Sequence, residues 1–510
     1  MGAFLFSLCW LALQTVTTAS AVPHYFQPQY TRRDLSSSQV SSELGALVSN
    51  GTLIYGPAGT LWANATERYN TFAVPDIQVV VQPAQESDIP AIVKYCNTNS
   101  IDFFAVNRAH AITASVGKFQ GLQIDMASLR EITIQPGGET AWFQGGTYDG
   151  QVMETLWGEG YVATTGSCSC VGMLGPGLGG GHGRYEGFYG LISDNFVHLN
   201  VVLADGQAIR VNSTSHADLF WAMKGAGHNY GIVTSFALKI YPRLVDTWHW
   251  HNYIWTQDKL ELVTEQINIL HGSGSGVTPV EMAIEFGVYM MNDTISETAA
   301  ILYWTFGYAG SAADGEKALA PFNAIPAEWQ DSGDLPYPEI SDIQGTGIGG
   351  ALCTPNTTHV TSTAGLQLYN ATAQRQIYEL FNEKVQQYPE LNRARVVLEG
   401  YSTAGVSKID PASSAFPHRS DHHLTYFDAQ LDTGSNLTHV AAQWAKEVVD
   451  LWNAGQPTRQ PSTYVNYANG FESLESTYGY EPWRLERLRG LKAKYDPQNR
   501  FRFYEPIIAE

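Results

Sequence analysis

Between Thr164 and Asn195 the chain reads TTGSCSCVGMLGPGLGGGHGRYEGFYGLISDN, and no other segment restricts the fold as much. It carries ten glycines and two cysteines one residue apart. So much glycine forfeits backbone entropy and side-chain burial, and persists where the backbone must turn through positive φ or lie against something closely. A flexible linker would be Gly/Ser-rich with nothing to pack. Here Val171, Met173, Leu174, Tyr185, Phe188, Tyr189, Leu191 and Ile192 are interleaved. Backbone apposed to a flat or anionic ligand is the reading that accounts for both features. Gly175, Gly177 and Gly180 spell the dinucleotide fingerprint GxGxxG, with Asp194 near the ribose-binding offset. That fingerprint requires a helix opening at its end. Gly181, Gly183, Gly187 and Gly190 follow instead, each costing about 1 kcal/mol in a helix, so a nicotinamide Rossmann site is rejected.

The 510 residues suffice for two cores, and the formal charge of -20 repels phosphate backbones and anionic lipid. Nucleic acid and membrane surfaces are therefore not expected partners. Gly2 to Leu13 is apolar but too short to span a bilayer. It leads to a small-residue cleavage pattern ending at Ala21, so residues 1–21 read as a signal peptide and the protein as secreted. Seven sequons, at Asn50, Asn64, Asn212, Asn292, Asn356, Asn370 and Asn436, support export and N-glycans. Loss of Cys9 on cleavage leaves Cys96, Cys168, Cys170 and Cys353, too few for a disulfide scaffold. Cys168 and Cys170 are too close to bridge each other without strain. No CxxC pair or histidine cluster points to zinc, and no metal is expected.

Along the chain, Ile77–Pro83 reads as a buried strand. A helix follows from Ser87 to about Asn97, with Ile89, Ile92, Val93 and Cys96 as its core stripe. Phe103–Val106 is a second strand, leading into the turn Asn107-Arg108-Ala109-His110-Ala111, whose amides could face a phosphate. Phe196–Val211 reads as two strands about an Asp205-Gly206 turn, and Ile232–Pro242 as another. After Pro242 longer helices (Lys259 to His271, Ala373 to Gln387, His439 to Ala454) alternate with aromatic strands such as WHWHNYIW, the pattern of an antiparallel sheet backed by helices. A boundary falls near 243–246.

These segments resemble, in order, the berberine-bridge-enzyme-like branch of the vanillyl-alcohol oxidase / p-cresol methylhydroxylase flavoproteins, and most of all its secreted fungal members of secondary metabolism. VVVQPAQESDIPAIVKYC, AVNRAHAIT, GSCSCVG, GAGHNYGIVTSF, SAFPHR, YVNY and YDPQNRF carry the likeness over nearly the whole mature chain. It implies an α+β fold: a two-part PCMH-type FAD-binding domain over residues 22–245, an α+β substrate domain with antiparallel sheet over 246–459, and a segment 460–510 returning to the first. It also implies FAD bonded through His110 and, from the GxCxxVG element, through Cys168, with Cys170 the alternative thiol. Asn107, Arg108, Ala109, Ala111, Gly166, Ser167, Val171, Gly172, Gly175, Gly179, Gly180, Ile232 and Asn466 are the implied flavin contacts. Two glycines often precede the linking histidine in the family; here Arg108 and Ala109 stand there.

The implied reaction is hydride transfer from a small organic substrate to flavin, with O2 returning the flavin to its oxidised form and giving H2O2. Tyr464 or Tyr467 would be the base and Tyr189 its helper. Where some members carry a carboxylate, Lys408 stands. Trp248, Trp250, Tyr253, Trp255, Tyr289, Trp304 and Phe306 are candidates for a dry roof over the site. A secondary-metabolite oxidase, a carbohydrate oxidase making lactones, and a redox-silent flavin-binding protein are the three activities to separate.

Overall fold

The computed structural model describes Phe26, residues 35–274 and residues 276–508. The expected leader peptide and Cys9 lie outside the described residues.

Two sheets come from the first half of the chain. One consists of β1 (Leu53–Tyr55), β2 (Asp76–Gln82), β3 (Phe103–Val106) and β4 (Gln120–Asp125), in the order β1-β2-β4-β3. β2 and β3 both run parallel to β4. Parallel strands need a crossover, and the helix Asp88–Thr98 supplies it, burying Ile89, Ile92, Val93 and Cys96. Ser87 precedes that helix but makes no side-chain cap. Asp88 instead accepts hydrogen bonds from the Gln85 amide and from Ser49 and Thr52, a local network that replaces the expected cap.

The second sheet is antiparallel: β5 (Ile132–Ile134), β6 (Thr140–Gln144), β8 (Phe196–Val202), β9 (Ala208–Val211) and β10 (Ile232–Lys239), ordered β5-β6-β10-β8-β9. A short pair, β7 (Tyr161–Val162) with β11 (Tyr241–Pro242), closes its side. Asp205 and Gly206 turn β8 into β9 as expected, with Gly206 at φ +82°.

The remaining strands form one antiparallel seven-stranded sheet: β12 (Trp248–Trp255), β13 (Met282–Asn292), β14 (Ser296–Tyr308), β15 (Trp329–Leu335), β16 (Thr358–Leu366), β17 (Arg395–Tyr401) and β18 (His423–Leu431), in the order β15-β12-β14-β13-β17-β18-β16. Helices Leu260–Leu270, Ala371–Gln387 and Thr438–Ala454 back one face, with Ile267, Phe381, Trp444 and Trp452 in the shared core. The other face lies toward the first two sheets, where Ile284, Phe286, Val288, Val397 and Leu424 meet Leu191, Phe416 and Tyr464. The chain ends in helix Pro482–Tyr495 and a segment packed back on the first two sheets, where Arg500 and Arg502 both bind Asp102. The fold is α+β, as the resemblance implied. Among the described residues no helix is long and apolar enough to cross a membrane.

Candidate active site

The glycine stretch folds as two short helical pieces, Leu174–Leu178 and Glu186–Tyr189, separated by open backbone. No helix opens after Gly180, since Gly180 and Gly181 take φ of +112° and +85°. The stretch is fastened to the seven-stranded sheet's connections. Buried Arg184 donates to Gln344 Oε1 at 2.6 and 3.0 Å and to Ser341 and Thr346. The Ser169 amide donates to the Thr346 carbonyl at 2.9 Å. Cys170 is disulfide-bonded to Cys353. That bridge removes Cys170 from the two candidate thiols and leaves Cys168 free.

One continuous cavity of about 390 Å³ runs between the glycine stretch and the seven-stranded sheet, within the range of cofactor and substrate clefts. His110, Cys168, Asn107, Arg108, Ala109, Ala111, Gly166, Ser167, Val171, Gly172, Gly175, Ile232, Asn466, Tyr464 and Tyr467 all line it. Three expected residues do not. Gly179 lies beneath Asn466, where a Cβ would come within 2.4 Å of Asn466 Oδ1, and Gly180 packs on Phe416. Tyr189 turns away and stacks on Tyr241 with ring centroids 3.6 Å apart, so it does not reach the cavity as a helper to the base.

Several features of this cavity fit a flat cofactor. A Cβ on Gly175 would meet no atom within 4 Å, whereas one on Gly172 would strike Asn107 Nδ2 at 2.6 Å. Asn107 itself donates to the Thr147 carbonyl at 2.7 Å, while its Oδ1 and Asp149 Oδ2 are buried without hydrogen-bond partners among the described residues. Open space at Gly175, with the unpartnered polar atoms of Asn107 and Asp149 packed beside Gly172 and Gly166 in the same lining, forms a cradle with room for a polar ring edge. Ala109 takes φ +55°, the left-handed conformation that glycine enters at no cost, so the loop before His110 keeps that path with alanine. The His110 ring stacks on Tyr69, which stacks in turn on His359. Burial, with the Arg108 and His359 charges, lowers His110 to about 3, so its imidazole is neutral.

Opposite the cradle, Tyr467 Oη donates to Glu399 Oε1 at 3.0 Å. Tyr401 donates to Glu399 Oε2 at 3.2 Å and also bonds Ser167 Oγ at 2.8 Å. Burial pushes Glu399 up to about 7, against these hydrogen bonds, which lower it. Tyr464 is differently occupied: its hydroxyl accepts from Asn466 Nδ2 at 2.6 Å and from the His182 amide at 3.3 Å. His182 is paired through Nδ1 with Glu186, and His228 bonds the Gly175 carbonyl. Burial raises the Cys168 thiol to about 12, with the Glu399 charge adding to the effect.

Glu399 escaped the sequence reading. Its signal was a lone acid in an apolar strand, RVVLEGY, which burial makes costly unless it is paired or working. The carboxylate sits on β17 rather than at exposed Lys408. The aromatic roof is also corrected: none of the seven expected aromatics lines the cavity. Tyr253, Trp255, Tyr289, Trp304 and Phe306 pack under the helices, and Trp248 and Trp250 pack with Tyr185 and Tyr337. Every residue of β12 is buried, so alternation along it could not reveal which face meets the cavity. The wall is made instead by Ile284, Phe286, Leu352, Val397 and Tyr426.

Residues 77–212 match the family described as FAD binding domain, and residues 463–508 the one described as berberine and berberine like. The FAD-linked oxidoreductase anuG of Penicillium roqueforti is 57% identical over 94% of each chain. A solved chitooligosaccharide oxidase superposes with a TM-score of 0.78 at 20% identity, covering 92% of this chain and 99% of its own. A glucooligosaccharide oxidase of Acremonium strictum, described as carrying a 6-S-cysteinyl, 8α-N1-histidyl FAD, superposes with a TM-score of 0.77 at 19% identity, covering 93% of this chain and 100% of its own.

Proposed function

Because the chain belongs to the berberine-like FAD-linked oxidoreductases, we propose that it is a secreted oxidase that takes hydride from a secondary metabolite onto FAD held covalently by His110 and Cys168, with O2 as acceptor and H2O2 as product. The observation that carries this reading is the hydrogen-bonded Tyr467–Glu399 pair, set across one cavity from both tethering candidates.

When bound, the flavin supplies a two-electron acceptor for the substrate's hydride. The chain's own groups do the rest. Neutral His110 has a nitrogen lone pair free for a bond to the ring. Cys168 is the free thiol of the pair, because Cys170 is engaged with Cys353. Ionised Glu399 takes up the Tyr467 proton, and the phenol oxygen can then accept the substrate's hydroxyl proton. A base near the operating pH is suited to that transfer. Tyr464, its hydroxyl already engaged by Asn466 and the His182 amide, positions rather than reacts. Ile284, Phe286, Leu352 and Val397 exclude water from the exchange.

That apolar wall selects the substrate class. Sugar hydroxyls placed against it would lose their water without gaining partners, whereas a flat apolar scaffold bearing one alcohol would not. Secretion is supported by residues 1–21, by a disulfide of the kind that persists in oxidising compartments, and by seven sequon asparagines that are all exposed or half-buried. The division at 22–245, 246–459 and 460–510 is supported by the sheets, since strands from 248 to 431 pair only with one another.

Peroxide release over a panel of aromatic and polyketide-type alcohols, beside cello- and chito-oligosaccharides, tests the reading. Turnover of the alcohols is expected. Turnover of the oligosaccharides alone would make the protein a carbohydrate oxidase, and reduced flavin that does not return to its oxidised form in air would remove oxidase activity altogether.

A further inference from the structure

Glu285 on β13, Gly400 on β17 and His423 on β18 form a crosswise row through the seven-stranded sheet. In the adjoining row, Phe286 and Glu399 line the cavity. Side chains alternate along a strand, so the Glu285 row faces the helices on the far side. Its central member is glycine, and the gap admits His271, which follows helix Leu260–Leu270. A Cβ at position 400 would lie 2.4 Å from both Glu285 Oε1 and His271 Nε2.

His271 Nε2 and His423 Nδ1 stand 3.5 and 3.7 Å from Glu285 Oε1, and all three side chains are at most 1% exposed. Yet Glu285 Oε1, His271 Nε2 and both ring nitrogens of His423 have no hydrogen-bond partner among the described residues. A protein core tolerates few orphaned polar atoms, and three of these, Glu285 Oε1, His271 Nε2 and His423 Nδ1, converge on one gap that calls for an occupant.

Three features favour a cation over water. The separations are long for hydrogen bonds but close to the span of two atoms each about 2.0–2.2 Å from a shared ion. The rear atoms of two candidate ligands are held: His271 Nδ1 lies 2.7 Å from Thr278 Oγ1, and Trp304 Nε1 donates to Glu285 Oε2. A proton on Nδ1, donated to Thr278, leaves the Nε2 lone pair toward the gap, the outer-shell arrangement that orients metal ligands. The third feature is the donor set: two imidazoles and one carboxylate suit a borderline divalent ion.

We propose that His271, Glu285 and His423 bind a zinc-class divalent ion behind the Glu399 strand, joining β13, β18 and the end of helix Leu260–Leu270. His271 and Glu285 lie 14 residues apart but His423 follows 138 residues later, so no short spacing motif announces the set.

The test uses the flavin-containing protein, produced with zinc in the medium and dialysed against metal-free buffer, with metal content read by plasma mass spectrometry. One zinc per chain is expected, reduced about tenfold or more in Glu285→Gln and His423→Ala, with visible flavin absorbance confirming that the variants fold. A second cluster, His249, His251 and Glu316, has its facing atoms hydrogen-bonded to one another and a more exposed carboxylate. Zinc lost from His249→Ala but kept in Glu285→Gln would overturn the proposal, as would wild-type protein holding no zinc. If the variants fail to fold, anomalous scattering at the zinc edge from wild-type crystals decides. A peak among the three side chains supports the site, and a peak elsewhere or none overturns it.

Discussion

The Tyr467 hydroxyl donates to Glu399 across 68 residues of sequence, one reaching in from the YVNY loop and the other from β17. In the proposed reaction, proton removal rests on this contact. Glu399→Gln is expected to slow flavin reduction by about 10²–10⁴-fold, the range for a lost general base, with flavin content unchanged. Stopped-flow reduction under anaerobic conditions measures it. Tyr464→Phe should cost less, because its hydroxyl is engaged elsewhere.

The same burial fixes a pH dependence. Glu399 and Glu505 are raised to about 7 and Asp149 to about 8. Between the ordinary carboxylate range and those values, the folded protein holds protons that the unfolded chain has released. Buried histidines such as His110 and His228, lowered to about 3 and about 4, act in the opposite sense below their ordinary value of 6.5 and are neutral in both states above it, so stability falls as pH rises from about 6.5 through 7 to 8. Melting temperature against pH should show that fall, with a shallower slope in Glu399→Gln. A melting temperature that climbs from about pH 6.5 to 8 would contradict the account.

Cys170→Ser separates the two thiols. It breaks the bridge to Cys353 but leaves Cys168, so flavin should remain on the Cys168 peptide while the melting temperature drops. A cost of about 2–5 kcal/mol is the usual range for a lost native disulfide. Flavin missing from that peptide in Cys170→Ser, but present in Cys168→Ser, would assign the bond to the other cysteine.

Ala109 bears left-handed strain at the turn before His110. Ala109→Gly relieves about 1 kcal/mol of it, offset in part by greater freedom of the unfolded chain, so the melting temperature should hold or rise. Ala109→Val, β-branched at positive φ, should lower both melting temperature and flavin incorporation. Equal losses in both variants would show that the conformation is not what matters there.

Much of this fold is legible in the sequence because its signals are local. The crossover helix after β2, the Asp205-Gly206 hairpin and the glycine run each announce themselves through periodicity or turn chemistry. What escapes depends on which face of an element meets which neighbour. β12 is buried on both sides, so its tryptophans looked as suitable for a roof as for a core. Glu399 carries no motif, and its role appears only when β17 is set against the YVNY loop. Tyr189 lies in the right segment, yet the turn at Gly190 sends its ring to Tyr241. Cys170 finds Cys353 across 183 residues, a pairing no spacing rule predicts.

The central claim is that the cavity grips a flavin from both sides through His110 and Cys168. Peptide mass mapping after acid precipitation of the purified yellow protein tests it most directly. Flavin mass on both the His110 and the Cys168 peptides is the predicted result. A colourless precipitate, with all the flavin in the supernatant, would contradict it.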